Sequence, residues 1–294
     1  HIGSTVKNGL TGIHVSMWLI LILAGVFTTI VGILIGLPTL RLRGDYLAIV
    51  TLGFGEIVPQ FVRNGDSLAG FDLTNGTFGI APIDSLGIGG FVFRSQDNRD
   101  DLYYWTAIGL VLFTVFCCIR LRDSRLGRAW IAIREDETAA AAMGVPLMRT
   151  KTWSYAIGAF FGGVSGAFYA SFKAGAFPAD FFFNFSIFLL CMVILGGMGS
   201  IWGVIVGALI LGYLNIEGLA TIGSKAQEAG LDFDPTKYQF GIYGVIIVVM
   251  MLFRPTGLIP ERRHKIELAE GVHDTPLYDV QTEGALTDRN PSDD

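Results

Sequence analysis

Long apolar runs separated by short polar connections dominate the pattern of the 294-residue chain. A helix that crosses a bilayer needs roughly 20 mostly apolar residues, at about 1.5 Å of rise for each. Six runs approach that length, and the run at 181–214 is too long for a single crossing. Its glycine-rich interruption, "GGMGS" (Gly196–Ser200), predicts a turn between two helices. The pattern therefore predicts an all-α, polytopic transmembrane helix bundle with about seven membrane segments.

The predicted segments are Met17–Leu37, Asp45–Val62, Tyr103–Leu121, Lys151–Phe172, the two parts of Phe181–Leu214, and Gln239–Phe253. An alternative keeps six segments by treating the two parts of 181–214 as a re-entrant pair. The connection 64–101 is rich in Gly, Asp and Asn, which favour turns, so we expect an irregular loop with a short hairpin. After Pro260 the chain is polar and charged, and we expect residues 261–294 to form a disordered acidic tail.

Lysine and arginine are unevenly distributed among the connections. Cytoplasmic loops carry an excess of both residues. When seven segments alternate across the bilayer, one side receives fourteen Lys and Arg residues and the other side seven. The basic side contains the connection at 122–150 and the C-terminus, so both are predicted to be cytoplasmic, with residues 1–16 as an extracytoplasmic N-terminal stub. In the six-segment alternative the C-terminus would lie outside.

The composition agrees with a membrane protein, since 51% of the residues are hydrophobic and only 16% are charged. Soluble domains average about 25% charged residues. The net charge of −5 arises after Pro260, where nine acidic and four basic residues occur, so it does not indicate a nucleic-acid partner. The three cysteines, Cys117, Cys118 and Cys191, lie in apolar runs without metal-ligand spacing, and we interpret them as packing residues.

Motifs of hydrolytic enzymes do not occur in the sequence. There is no G-x-x-x-x-G-K-[ST] phosphate loop, no H-E-x-x-H and no G-x-S-x-G. The four histidines are dispersed along the chain. We therefore expect no enzymatic activity, no metal site and no cofactor bound by this chain.

A charged, alanine-rich stretch, "AIREDETAAAAMG" (Ala132–Gly144), stands between two apolar runs. Alanine is the best helix former, and Gly144 followed by Pro146 stops a helix, so we predict a helix over about 128–143. Its small side chains suit a groove on another protein, whereas a helix on the membrane surface would favour basic residues over "EDE". The residues assigned to this contact are Arg134, Glu135, Asp136, Glu137, Ala139, Ala140 and Gly144.

Glu56 lies inside an apolar run, "DYLAIVTLGFGEIVPQ". A charged side chain at the bilayer centre costs about 2.5–3.5 kcal/mol on insertion scales for Asp, Lys or Arg, and such groups normally face a bundle interior or a cavity. Glu56 could line a transport pathway beside glycines that unwind the helix, or it could lie near the outer interface and pair with Arg63. The residues assigned to a pathway are Thr51, Gly53, Glu56, Asn184 and Ser186.

Two sets of glycines recur at four-residue spacing. This spacing places them on one helix face and lets a neighbouring helix approach closely. Tight packing alone accounts for the pattern, and two such faces also fit a bundle whose helices slide or rock. The sets are Gly158, Gly162 and Gly166, and Gly199, Gly203 and Gly207.

Four blocks of sequence resemble the membrane permease subunit of branched-chain amino acid ABC importers and occur in the order of that family. The blocks are "LRLRGDYLAIVTLGFGEIV" (Leu40–Val58), "GRAWIAIREDETAAAAMGV" (Gly127–Val145), "VILGGMGSIWGVIVGALIL" (Val193–Leu211) and "MLFRPTGLIP" (Met251–Pro260). The resemblance covers roughly residues 17–260, which we take as a transmembrane permease domain.

The resemblance implies a second permease subunit, two cytoplasmic ATPases that carry ATP and Mg, and an extracytoplasmic substrate-binding protein, in a bacterial inner membrane. It also implies that "IREDETAAAAMG" is the coupling helix, which docks on an ATPase. The chain departs from the general E-A-A-x-x-x-G pattern, because Glu137 precedes Gly144 by seven positions and Thr138 replaces the first alanine.

The expected function is import of branched-chain amino acids through a path shared with the second permease. Permeases for urea or short amides have much of the same pattern, so they remain an alternative. A stand-alone channel or secondary transporter is the alternative from another class. It would need a driving-ion site, for which Glu56 is the plausible carboxylate, and it gives no role to the alanine-rich helix.

Overall fold

The computed structural model describes residues 15–42, 45–65, 74–88, 91–92, 99–228, 235–254 and 257–259. The expected tail at 261–294 and nearly all of the expected N-terminal stub lie outside these residues. The helices are α1 (Met17–Thr39), α2 (Asp45–Arg63), α3 (Arg99–Arg122), α4 (Arg125–Glu135), α5 (Glu137–Ala142), α6 (Leu147–Lys173), α7 (Phe183–Gly196), α8 (Ile201–Tyr213), α9 (Leu219–Glu228) and α10 (Gln239–Phe253). Two-residue strands β1 (Gly87–Ile88) and β2 (Phe91–Val92) form an antiparallel hairpin. The chain divides within α7 into two compact units, residues 1–186 and 187–294.

Within the described residues, four helical stretches are long and apolar enough to cross a bilayer. They are Met17–Thr39, Asp101–Arg122, Pro178–Gly196 and Ile201–Ser224. The helix α10 is apolar but shorter. The predicted segments at α2 and α6 are helical but not among these four, since α2 carries Asp45, Glu56 and Arg63 while α6 is rich in Gly, Ser and Thr. The chain is therefore a polytopic helical membrane protein, and its predicted break at Gly196–Ser200 is confirmed.

In the first unit, α1 and α6 pack side by side in antiparallel directions. Along this contact Gly25 lies against Phe160, and Gly36 lies against Tyr155. The hydroxyl of Thr28 donates a hydrogen bond across the pair to the carbonyl oxygen of Ala159, at 2.9 Å. Because lipid offers no competing donors or acceptors, such bonds add to the packing of small residues that joins membrane helices.

The packed face of α6 differs from the predicted glycine face. A Cβ atom on Gly163 would collide with the side chain of Thr28 and lie 2.7 Å from the carbonyl oxygen of Ala24, so this position needs glycine. At Gly158, Gly162 and Gly166 a Cβ atom would meet nothing within 4 Å in the described part of the chain. The four-residue spacing is present, but the helix turns a different glycine towards α1.

At the N-terminal end of α1, a small core joins the helices α1, α3 and α6 and the connection before α3. Its buried residues are Met17, Leu21, Leu86 and Tyr103. The Tyr103 hydroxyl accepts a hydrogen bond from the backbone N–H of Leu86 at 3.1 Å and lies 3.0 Å from the hydroxyl of Ser171, near the end of α6. The connection at 74–88 is therefore anchored to the helices, and the expected short hairpin is confirmed in β1 and β2.

The second unit has its own core around the α7–α8 hairpin. This core consists of Phe188, Cys191, Leu195, Leu211, Leu219 and Tyr243. A Cβ atom on Gly203 or Gly207 would collide with the backbone of α7, whereas Gly199 precedes α8 and has a positive φ of 96°. Thus two members of the second glycine set lie at a close helix contact, and the third lies in the turn.

Candidate functional site

The segment between the long helices α3 and α6 consists of two short helices held by side-chain caps. The hydroxyl of Ser124 accepts a hydrogen bond from the backbone N–H of Gly127 at 3.2 Å and starts α4. Gly127 is required there, because a Cβ atom would collide with the carbonyl oxygens of Leu121 and Arg122. The connection between α3 and α4 is therefore tight, with only Asp123 and Ser124 between the two helices.

The predicted single helix over 128–143 is wrong, because the chain breaks at Asp136. This residue has extended backbone angles, φ −150° and ψ 112°, and its side chain caps the next helix instead of continuing the previous one. Its carboxylate accepts hydrogen bonds from the backbone N–H groups of Thr138 at 2.8 Å and Ala139 at 3.1 Å, and from the Thr138 hydroxyl. Aspartate is among the preferred residues for this capping position.

The same hydrogen bonds affect the charge of Asp136. Donation from the Thr138 hydroxyl, followed by the two backbone N–H groups, holds the pKa of the exposed Asp136 carboxyl below its usual range. A carboxylate that accepts several hydrogen bonds favours its ionised form. The cap is therefore fully charged at neutral pH.

The helix α5 ends as predicted at Gly144. This glycine has a φ of 84°, a left-handed conformation that glycine adopts without strain. The backbone N–H of Val145 donates to the carbonyl oxygen of Ala140 at 3.1 Å, and that of Gly144 donates to Ala141 at 3.0 Å. This pair of bonds is the Schellman arrangement, which satisfies the last carbonyl groups of a helix.

Two long-range contacts attach this segment to the start of α6. The ammonium group of Lys151 donates a hydrogen bond to a carboxylate oxygen of Glu137 at 2.8 Å, and both side chains are partly exposed. The indole N–H of Trp130 donates to the carbonyl oxygen of Thr150 at 2.7 Å. Hence both α4 and α5 are linked to the same end of α6, α4 by a neutral hydrogen bond and α5 by an ion pair.

The side chains of the segment fall into an exposed set and a packed set. Arg134, Glu135 and Asp136 are exposed, and so are Ala139 and Gly144. Ala140 is only 4% exposed, and it packs inward. Met143 is 85% exposed, the most exposed large apolar side chain of the described chain. The surface available to a partner therefore combines three charged groups with small residues and one flexible methionine.

The five predicted pathway residues all lie in the first unit. None of them is buried in the single chain. Glu56, Asn184 and Ser186 are exposed, and a Cβ atom on Gly53 would meet nothing within 4 Å among the described residues. The hydroxyl of Thr51 donates to the carbonyl oxygen of Leu47 within α2. Thr51, Gly53 and Glu56 lie on α2, whereas Asn184 and Ser186 lie on α7.

The alternative pairing of Glu56 with Arg63 is not formed. The guanidinium carbon of Arg63 instead lies 4.9 Å from the centroid of the Phe182 ring, a cation–π contact. On α2 itself, the helix continues unbroken through Gly53, Gly55 and Pro59 from Asp45 to Arg63. The predicted unwinding at these residues is therefore not found.

The capping roles of Ser124 and Asp136 and the contacts of Lys151 and Thr150 were not predicted from the sequence. Ser124 and Asp136 carry the local signal of helix caps, since each precedes a helical stretch and offers a short oxygen-bearing side chain. Lys151 and Thr150 have no local signal, because their partners lie 14 and 20 positions away in the chain. Only the packing of α4 and α5 against α6 reveals these two contacts.

The fold and the arrangement of its apolar helices define the class of this chain, a polytopic helical membrane protein. The family model described as the branched-chain amino acid transport system permease component matches residues 3–251. The chain therefore belongs to the branched-chain amino acid transport system permease family.

Curated relatives agree with this family. The chain is 36% identical over 273 residues to the high-affinity branched-chain amino acid transport system permease protein LivM of Salmonella typhimurium, covering 86% of the chain and 60% of that protein. LivM of Escherichia coli is 35% identical with the same coverage. The probable branched-chain amino acid transport permease protein LivM of Methanocaldococcus jannaschii is 28% identical, covering 87% of the chain and 71% of that protein. The chain thus spans about 60% of the length of the bacterial LivM relatives. No solved structure matches it.

Proposed function

We propose that this chain is a permease subunit of an ATP-driven importer for branched-chain amino acids. The observation that carries the proposal is the family match over residues 3–251, because it includes the membrane helices and the connecting segment 125–144. LivH and BraD, two further permease proteins of branched-chain amino acid transport, are also similar to the chain. Their likeness to this chain supports a path formed between two homologous permease subunits.

The segment 125–144 is the proposed docking site for a cytoplasmic ATPase. The sequence contains no phosphate loop, so energy from ATP has to enter through a partner that carries ATP and Mg. The segment offers the exposed charges of Glu135 and Asp136 beside small side chains, and its two caps hold the backbone in one shape. A partner that moves this segment also pulls on α6 through the bonds of Glu137 and Trp130.

The cycle that follows from this arrangement has three steps. A substrate-binding protein delivers the amino acid on the extracytoplasmic side, ATP-driven closure of two ATPases moves the docked segment, and the paired permeases change access to their shared path. Thr51, Glu56, Asn184 and Ser186 are exposed in the single chain, and a Cβ atom on Gly53 would meet nothing within 4 Å among the described residues, so a second permease could complete the path there. Selection among substrates then rests mainly with the binding protein.

Co-purification and vesicle uptake test the proposal together. The tagged chain is purified from its native membrane in mild detergent, and we expect a second permease and an ATPase to accompany it. In proteoliposomes containing the complex, uptake of labelled leucine should require enclosed ATP and added binding protein, and excess valine or isoleucine should compete. Uptake by this chain alone without ATP would contradict the proposal, and competition by urea but not by valine would reassign the substrate.

A charge reversal at Glu135 tests the docking site. Glu135→Lys should abolish ATP-stimulated uptake while the chain still inserts and folds, because Glu135 is exposed in the structure. The matched control is Asp123→Lys, which reverses another exposed carboxylate in the turn before α4. Equal loss of uptake in both variants would show a general charge effect and would exclude a specific contact at Glu135.

A further inference from the structure

A cavity of about 330 Å³ lies in the first unit beside the segment 125–144. Four parts of the chain meet around it: the residues that follow α1, the start of α2, the second half of α4 and the start of α6. Apolar walls come from Leu40, Leu42 and Leu47, with Trp130 and Tyr155. None of the predicted pathway residues lines it, so it is separate from the proposed transport path.

Two cationic side chains also line this cavity. Arg134 approaches from α4 and Lys151 from α6. An ammonium group has three donors, and the contact between Lys151 and Glu137 uses one of them, which leaves two that can serve a ligand. A planar guanidinium can bind an oxyanion through two parallel hydrogen bonds. The cavity thus combines the donors for an oxyanion with apolar walls.

Its position is at an end of the membrane helices. The apolar helix α1 ends at Thr39, and the cavity begins one residue later at Leu40. Trp130 and Tyr155 are residue types that are enriched where a bilayer meets water. A ligand that occupies the cavity can therefore extend one part into the hydrocarbon and keep its charged part at the surface.

We propose that the cavity binds the phosphate and glycerol region of an anionic phospholipid, with the phosphate between Arg134 and Lys151. Basic pockets between membrane helices are known to hold lipid head groups. The volume is too small for a whole phospholipid but holds the phosphate, the glycerol and the first methylene groups, which contact the three leucines. Free phosphate has the same oxyanion chemistry but would leave these leucines exposed to water.

The bound lipid would tie together elements that otherwise meet only through a few contacts. It contacts α4 through Arg134 and α6 through Lys151, and it covers the connection from α1 to α2. This inference depends on the membrane insertion of the chain and not on the proposed ATPase contact. Its test can therefore fail while the proposed function stands, and the reverse is also possible.

Native mass spectrometry of the full chain in detergent, titrated with phosphatidylglycerol or phosphatidylcholine, measures the binding. We expect phosphatidylglycerol to bind about fivefold more tightly than phosphatidylcholine, and Arg134→Gln to weaken phosphatidylglycerol binding about fivefold. Ser154→Phe, which fills the cavity from the exposed surface of α6 without a change of charge, should weaken it at least as much. Arg149→Gln is the matched control, because this exposed arginine near the start of α6 does not line the cavity.

Four results would overturn the proposal. The first is equal affinity for the two lipids. The second is a loss of phosphatidylglycerol binding in Arg149→Gln that equals the loss in Arg134→Gln, since that would indicate a general attraction to positive charge. The third is complete displacement of phosphatidylglycerol by inorganic phosphate, which would make free phosphate the ligand. Unchanged binding in Ser154→Phe would likewise place the lipid elsewhere.

Discussion

The contact of α6 with α1 and the contact of α6 with the short helices α4 and α5 are built in different ways. Along α1 the backbones approach so closely that Gly163 has no room for a side chain. At the start of α6, by contrast, a partly exposed ion pair and the backbone-directed bond of Trp130 hold the short helices in place. The first contact is a steric fit, and the second depends on a few polar groups. We therefore expect the first to resist change and the second to be adjustable.

The difference explains where movement is possible in this unit. Close packing of small residues has one optimal geometry, and displacement by a fraction of an ångström produces collisions. A surface ion pair tolerates displacement, because its energy is small and changes gradually with distance. Motion of the segment 125–144 relative to α6 therefore costs less than motion of α6 relative to α1.

The largest loss of stability is expected when Gly163, the glycine packed against α1, is replaced by a larger residue. Gly163→Val places a branched side chain against Thr28 and the backbone of Ala24, and overpacking of this kind costs about 1–3 kcal/mol. Unfolding in mixed detergent, followed by circular dichroism, measures the loss. The control is Gly162→Val on the neighbouring open face, where a Cβ atom meets nothing within 4 Å in the described chain. Similar losses in both variants would contradict the assignment of the packed face.

Exchange of the ion pair tests the adjustable contact. Glu137→Lys places two cations together, and since an exposed pair contributes about 0.2–1 kcal/mol, stability should fall only slightly. Coupling should suffer more than stability, so ATP-driven leucine uptake should drop severalfold. The double variant Glu137→Lys with Lys151→Glu restores an opposite-charge pair and should recover most of the uptake. No recovery would mean that Glu137 acts through another partner.

Removal of the cap at Asp136 is expected to have a smaller effect, confined to the start of α5. Asp136→Ala removes the acceptor for the N–H groups of Thr138 and Ala139, so their amide hydrogens should exchange severalfold faster. Asp136→Asn retains a capping oxygen without the charge and should keep most of the protection. Equal exchange in the parent protein and Asp136→Ala would show that the break between α4 and α5 does not depend on this cap.

The contribution of the same cap to the stability of α5 should decrease in acid. Because the folded pKa of Asp136 is lowered, its stabilising contribution is present above the usual carboxyl pKa and is lost as the pH falls through the lowered value. Amide exchange at Ala139, corrected for intrinsic rates, should therefore be constant through neutral pH and accelerate only in strong acid. The same pH series on Asp136→Asn should show no such acceleration.

The smallest effect on stability is expected at Glu56. This exposed residue forms no ion pair with Arg63, so Glu56→Gln should leave the thermal midpoint of the purified chain unchanged. Transport by the assembled complex should nevertheless fall if the side chain lines the path between two permeases. Unchanged uptake would place Glu56 towards lipid or at the outer interface.

The apolar helices were predictable from the sequence because hydrophobic length is a property of the local segment. The prediction for Gln239–Phe253 matches α10, and the turn at Gly196–Ser200 separates α7 from α8. Which face of α6 packs against α1 was not predictable in the same way. The pair Gly162–Gly163 allows two neighbouring faces, and only the position of Thr28 on α1 selects Gly163.

The sequence indicated a helical segment between α3 and α6 but not the shape of that segment. The alanine content indicated one helix, yet Asp136 is both a poor residue for a helix interior and a good cap, and its bonds to Thr138 and Ala139 favour the cap. The contact between Glu137 and Lys151 arises only after α5 folds back on α6. Long-range polar contacts of this kind leave no periodic signal in the sequence.

The length of α6 has a geometric consequence. Its 27 residues rise about 40 Å, enough to cross the hydrocarbon and both head-group layers. Near its start lies Lys151, and near its end the hydroxyl of Ser171 contacts Tyr103. A helix of this length amplifies rotation: a tilt of about 5° about Lys151 displaces the far end, about 33 Å away, by about 3 Å. Because α1 packs tightly along α6, both helices would move together, and a small angular change at one end of α6 becomes a displacement about as wide as a water molecule at its other end.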